Sequence, residues 1–148
     1  MQKHKLLLII SLFFLSLNMA AQDQSPVQFD FEKQNIGNGE FVLKIKATPA
    51  KGVQLFSIQK ISDELPINTS FQFDSSILKY LTDSIAENGA LKTSPDPALN
   101  NVVTRFYTDS VIWLQKIKTN ISGEVESMIC NDRTCMPPTT EKFNIALN

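Results

Sequence analysis

Two cysteines, Cys130 and Cys135, stand with four residues between them, and Met136, Pro137 and Pro138 follow them. A thiol pair at that spacing has two uses. It is a local clip, or it is a two-electron couple that opens when a foreign thiolate attacks one sulfur and closes again when that thiolate leaves. A bridge over so short a ring restrains little of the unfolded chain, about 2 kcal/mol against nearly 5 for a loop of about 100 residues. An immunoglobulin-type structural bridge instead joins distant strands. A bridge at a loop is also open to attack, and exposed disulfides are the ones most often labile. No lysine or histidine neighbours either thiol, and Arg133 is the nearby cation. An activated C-x-x-C nucleophile of the thioredoxin kind is therefore not expected. The pair suits the passive side of exchange, in which the partner brings the thiolate, while the clip stays open as the alternative.

What the chain lacks narrows the chemistry further. Its one histidine, His4, lies beside Lys3 and Lys5, ahead of an apolar run from Leu6 to Leu17 and the small residues Ala20 and Ala21. That is the layout of a secretory signal peptide over residues 1–21. Cleavage there leaves residues 22–148, about 127 residues, as one domain with no histidine. Ser-His-Asp, Cys-His and histidine-metal chemistry are then excluded. Two cysteines alone cannot fill a tetrahedral zinc site, and the acidic residues lack the spacing of a calcium loop. With no phosphate-loop or dinucleotide fingerprint either, no cofactor and no metal are expected. Losing Lys3 and Lys5 takes the 14 basic residues to 12, against 15 acidic ones, so the mature net charge is near -3 and no nucleic-acid partner is indicated. The Leu6 to Leu17 run is shorter than the roughly 20 residues of a membrane-spanning helix. The expectation is a periplasmic or secreted protein, soluble after cleavage, in a compartment where disulfides persist.

The elements that must hold the cysteines are read from alternation. Val27, Phe29 and Phe31 alternate with polar residues, Gly37-Asn38-Gly39 supplies a turn, and Phe41, Leu43, Ile45 and Ala47 alternate again, which predicts a β-hairpin. Short β-rich runs follow at 53–59, 69–74, 103–108, 111–118, 123–130 and 142–147. Residues 77–91 read as a strand or a short helix. Residues 93–101, with Pro95 and Pro97, read as an irregular loop, because proline removes backbone donors. Trp113 reads as core. Strands of this length and number predict an all-β, immunoglobulin-like antiparallel β-sandwich. Cys130 then ends one strand, and Cys135 faces it at the mouth of the connection to the last, with Pro137-Pro138 stiffening the backbone just beyond.

The stretch Cys130-Asn131-Asp132-Arg133-Thr134-Cys135-Met136-Pro137-Pro138-Thr139 resembles the signature of the N-terminal periplasmic domain of DsbD-type thiol:disulfide interchange proteins. Lys51 to Ser57, Pro66 to Phe71 and Phe106 to Asp109 are similar to further stretches of that family, so the resemblance covers nearly all of residues 22–148. It implies an immunoglobulin-like sandwich that takes electrons from a membrane-embedded thiol reductase and passes them to thioredoxin-like periplasmic proteins. Cys130 and Cys135 would be the redox pair of this thiol:disulfide oxidoreductase-type relay, with Cys135 forming the mixed disulfide. Family members with a longer spacer have C-x5-C, one residue more than here. The family shields its disulfide with an aromatic residue on a cap loop. The matching position falls near Asn100, so Leu99 is the candidate substitute, and Phe56 and Pro137 complete the expected cap or docking residues. The membrane reductase is expected to act in trans. The rival expectation is a non-catalytic immunoglobulin-like binding module that keeps the disulfide as a local structural clip.

Overall fold

Alternation between Val27 and Pro49 produces the expected hairpin. Strands β1 (Val27–Gly37) and β2 (Glu40–Pro49) pair antiparallel from Val27 opposite Pro49 to Asn35 opposite Phe41. The turn runs through Gly37, Asn38 and Gly39 at φ of 92°, 54° and 73°. Glycine and asparagine enter that left-handed region at the lowest cost, which is why this sequence turns here. The computed structural model describes residues 25–61, 67–81 and 83–147, and the signal-peptide reading of residues 1–21 lies outside them.

The other strands are β3 (Gln54–Phe56), β4 (Ser70–Phe73), β5 (Ala86–Asn88), β6 (Lys92–Asp96), β7 (Val102–Tyr107), β8 (Val111–Ile117), β9 (Ile121–Ser127), β10 (Ile129–Cys130) and β11 (Thr139–Ile145). They form sheets ordered β1-β2-β8-β5, β10-β3-β7-β6 and β11-β9-β4, with antiparallel neighbours throughout. The protein is an all-β, immunoglobulin-like antiparallel sandwich. Leu43, Ile45, Ala47, Val111 and Trp113 of the first sheet share one buried core with Ile121, Val125 and Phe143 of the third. The Phe71 ring meets Trp113 edge-on at 5.3 Å, and Phe31 stacks on Phe143 at 5.3 Å. Gly123 permits the close approach of β4 and the Phe143 ring: a Cβ there would lie 2.6 Å from the Gln72 carbonyl oxygen and 2.8 Å from the ring.

Three local readings need correction. Residues 93–101 are not an irregular loop, since most of their first half is β6, followed by a 3-10 turn over Pro97–Leu99. Pro95 is tolerated because β6 is an edge strand paired only with β7, so its missing N–H breaks no ladder on the other side. The ambiguous stretch at 77–91 divides into a 3-10 turn, Leu78–Tyr80, and the short strand β5. The single strand expected at 123–130 breaks at Met128: β9 lies between β4 and β11, whereas β10 crosses to β3.

A polar cluster links the first two sheets. The Glu87 carboxylate on β5 accepts hydrogen bonds from Ser57 Oγ at 2.6 Å, Ile58 N at 3.0 Å and Trp113 Nε1 at 3.0 Å. Buried indoles need such an acceptor. Beside it, burial first, then the Glu87 charge and the hydrogen bond to Glu87, push the Tyr107 phenol up to about 12. A folded-state value above the ordinary 10 means that the native state holds the proton more tightly. The associated stability is complete below about pH 10 and is lost as pH rises towards 12. At about 1.4 kcal/mol per unit, the loss over that window is about 2–3 kcal/mol. Tyr107→Phe is expected to abolish this alkaline component in urea melts followed across the same pH range.

Candidate functional site

In the second sheet, neighbouring residues point to opposite faces, and both faces are covered. Leu55, Tyr107 and Ile129 enter the main core, while the adjacent Phe56, Phe106 and Cys130 form a second buried cluster with Ile67 on the other face. This explains why the sequence runs Leu55-Phe56, Phe106-Tyr107 and Ile129-Cys130 are apolar without alternating: each contributes one side chain to each cluster. Register aligns them. Ile129 pairs with Leu55, Cys130 with Gln54, Leu55 with Tyr107, and Phe56 with Phe106.

From Cys130 the chain makes a tight hairpin of its own. Asn131 N donates to Thr134 O at 2.9 Å and Met136 N to Ile129 O at 2.9 Å. Cys130 and Cys135 are thus directly opposed between these two hydrogen bonds, in the antiparallel position where partners make no hydrogen bond to each other and side chains approach most closely. They form the disulfide, with Cα atoms 3.9 Å apart. That is closer than the usual disulfide range of roughly 4.4–6.8 Å. The Asn131 side chain organises the tip: its Oδ1 accepts from Arg133 N and Thr134 N, both at 2.9 Å. Asparagine is favoured at the head of a turn for this reason. The cysteines were expected at the mouth of the connection between the last two long strands. They do face each other within that connection, on a small hairpin of their own with Asp132 and Arg133 at its tip, because the chain has already left β9 at Met128.

The two sulfur-bearing residues differ in access. Cys130 has 0% exposure, whereas Cys135 is half-buried at the rim. Partly buried Ile61, Leu99, Met128 and Cys135 pack against the cluster that holds Cys130. Of the residues read as cap or docking elements, Phe56 lies at 0% exposure in the cluster and Leu99, at the end of the 3-10 turn, packs against it. Asn100 follows at φ 55° and, like the exposed Pro137, is not among the residues of that cluster. Of the expected cap positions, the turn after β6 thus brings Leu99 against the cluster that holds Cys130.

Sequence reading missed Asp96. It is 6% exposed at the end of β6, its backbone carbonyl accepts from Asn101 N at 2.8 Å, and a carboxylate oxygen and both sulfurs lie within 4.8 Å of one another. A cavity of about 140 Å³ beside it is lined by Gln54, Asp96, Pro97, Asn131 and Asp132 among others. The flanking prolines were the only signal near Asp96, and they pointed to a loop. Asn131, Phe106, Ile67 and Met128 also escaped selection, as turn or core residues carrying no reactive group.

No protein-family model matches the chain, and no curated protein matches it. Among solved structures, the fold resembles the N-terminal periplasmic domain of ScsB from Proteus mirabilis, with a TM-score of 0.62 and 14% sequence identity, covering 85% of this chain and 48% of that one. The chain thus spans about half the length of that structure. At this identity the likeness is one of fold. Among the described residues, no helix is long and apolar enough to cross a membrane.

Proposed function

We propose that this chain is an exported thiol:disulfide relay of the DsbD N-terminal kind, with residues 1–21 as its export signal and 22–148 as its working domain in the periplasm or outside the cell. When reduced, the Cys135 thiolate attacks a sulfur of an oxidised thioredoxin-like partner. The partner's S–S bond breaks, its second sulfur leaves as a thiolate, and a mixed disulfide forms through Cys135. Cys130 then attacks Cys135, so the internal bond forms and the partner departs with two electrons. Refilling reverses the order. A thiolate of a membrane-embedded reductase, acting in trans, attacks Cys135, and Cys130 leaves and takes up a proton, since an isolated anion in that apolar cluster is unfavourable. The reductase's second thiolate then attacks the mixed disulfide, frees Cys135 as a thiolate and leaves the reductase oxidised.

The observation that carries this reading is the asymmetry of the pair: one sulfur-bearing residue stands at the rim of a hairpin and the other is fully covered behind it. The likeness of fold to a periplasmic domain supports it. The test compares single serine variants. Cys130→Ser is expected to form a stable mixed disulfide with an oxidised thioredoxin, isolable on a non-reducing gel. Cys135→Ser, with only the covered thiol left, is expected to react at least about 100-fold more slowly, reflecting access. Equal rates for the two variants, or failure of both to react, would leave the disulfide as a clip in a binding module.

A further inference from the structure

The fold adds a third donor to the two thiols. Asp96 belongs to β6 and the cysteines to the β10 hairpin, yet a carboxylate oxygen and the two sulfurs all lie within 4.8 Å of one another, and Asp96 and Cys130 are buried. We propose that the reduced form binds one zinc-class divalent cation through Cys130, Cys135 and Asp96, and that the bound ion holds the pair out of thiol exchange. The proposal rests on the pair being reducible, as argued above.

The donor set decides the class of ion. Two thiolates and one carboxylate suit zinc, whereas magnesium and calcium prefer oxygen throughout. With bonds of about 2.3 Å to sulfur and 2.0–2.2 Å to oxygen, a tetrahedral ion needs donors about 3.5–3.8 Å apart. The carboxylate oxygen lies within 4.8 Å of both sulfurs, so at most about 1 Å separates it from that range. The sulfurs must separate from bonding distance, which asks for a rotation of the half-buried Cys135 about its Cα–Cβ bond. The adjoining cavity of about 140 Å³, lined by Gln54, Asn131 and Asp132 as well as Asp96, has room for a water as fourth ligand. Binding exchanges two thiol protons for the ion: Zn²⁺ and two thiols with one carboxylate give a bis-thiolate carboxylate complex and two protons released to solvent. No oxidation state changes. A sulfur held by zinc is no longer free to attack a disulfide, so release of the ion would license the relay.

The experiment uses the purified chain reduced with a phosphine, with free thiols counted first. If two thiols do not appear, the exchange reading and this proposal both fall. If they appear, zinc titration is expected to give one ion per reduced chain and none at this site in the oxidised chain. Cobalt in its place is expected to show thiolate charge-transfer and tetrahedral ligand-field bands. Asp96→Asn is expected to weaken zinc binding at least about tenfold, by loss of a ligand. Zinc should slow oxidation of the wild-type dithiol by glutathione disulfide, and a chelator should restore it. Should Asp96→Asn fail to fold, zinc-edge absorption on the wild type decides, with two sulfur and two oxygen neighbours expected. Absence of zinc uptake by the counted dithiol, unchanged affinity in Asp96→Asn, or four sulfurs shared between two chains would each overturn the proposal while leaving thiol exchange intact.

Discussion

Replacing both cysteines by alanine is expected to yield a folded protein that transfers no electrons. The cross-link closes a ring of only Cys130 to Cys135, and chain entropy assigns it about 2 kcal/mol. Removing the fully buried Cys130 side chain adds a small packing loss, about 1 kcal/mol. A single domain has about 5–15 kcal/mol to lose, and this sandwich draws its core from Leu43, Ile45, Trp113, Val125 and their neighbours, none of which touches the cross-link covalently. The variant should therefore melt cooperatively in guanidinium, destabilised by about 3 kcal/mol. Reduction of an oxidised thioredoxin should disappear altogether, because no second sulfur remains to resolve or start the exchange. Collapse of the fold instead would mark the disulfide as structural. Equilibration of the wild-type pair with glutathione gives an independent measure: a potential below about -300 mV belongs to a structural bridge, and a higher one to a relay.

Removal of the Glu87 carboxylate is expected to do the reverse, lowering stability steeply and sparing the chemistry. Three donors converge on it, from Ser57, Ile58 and Trp113, and Ser57 and Trp113 are 0% and 1% exposed. Glu87→Ala leaves them without that acceptor, and a buried donor deprived of its partner costs about 1–3 kcal/mol. With two such donors fully enclosed, a loss of about 3 kcal/mol or more is expected in urea or guanidinium denaturation. Glu87→Gln, which keeps one oxygen acceptor and adds unwanted donors, should fall between alanine and wild type. Below the unfolding transition, the rate of disulfide exchange should match wild type, since Glu87 belongs to the network on Trp113 and Tyr107 and not to the cluster around Cys130. A Glu87→Ala protein as stable as wild type would mean that water replaces the carboxylate there.

Local chemistry along the chain determined a good deal. Gly37-Asn38-Gly39 and the flanking alternation set the first hairpin, because positive φ is cheap only for such residues and a period of two admits only one buried face. The Cys130 to Thr139 stretch marked the reactive element, since thiols declare themselves by type and spacing. Apolar pairs such as Leu55-Phe56 and Ile129-Cys130 hid a different fact. Their two residues serve opposite clusters, and only sheet pairing reveals that both faces are covered. Pro95 looked like a strand breaker, yet at an edge it breaks nothing, so its strand emerged only from knowing which side has a neighbour. The exit of the chain at Met128 likewise appeared only in the sheet pairing, which gives β9 the neighbours β4 and β11 and gives β10 the neighbour β3, a non-local matter. Asp96 makes the sharpest case: its chemistry is that of any aspartate until β6 docks beside β7 and carries it to the sulfurs. Type and spacing are local properties of a chain, whereas burial and proximity belong to the packed sandwich, so the thiols were legible beforehand and their carboxylate neighbour was not.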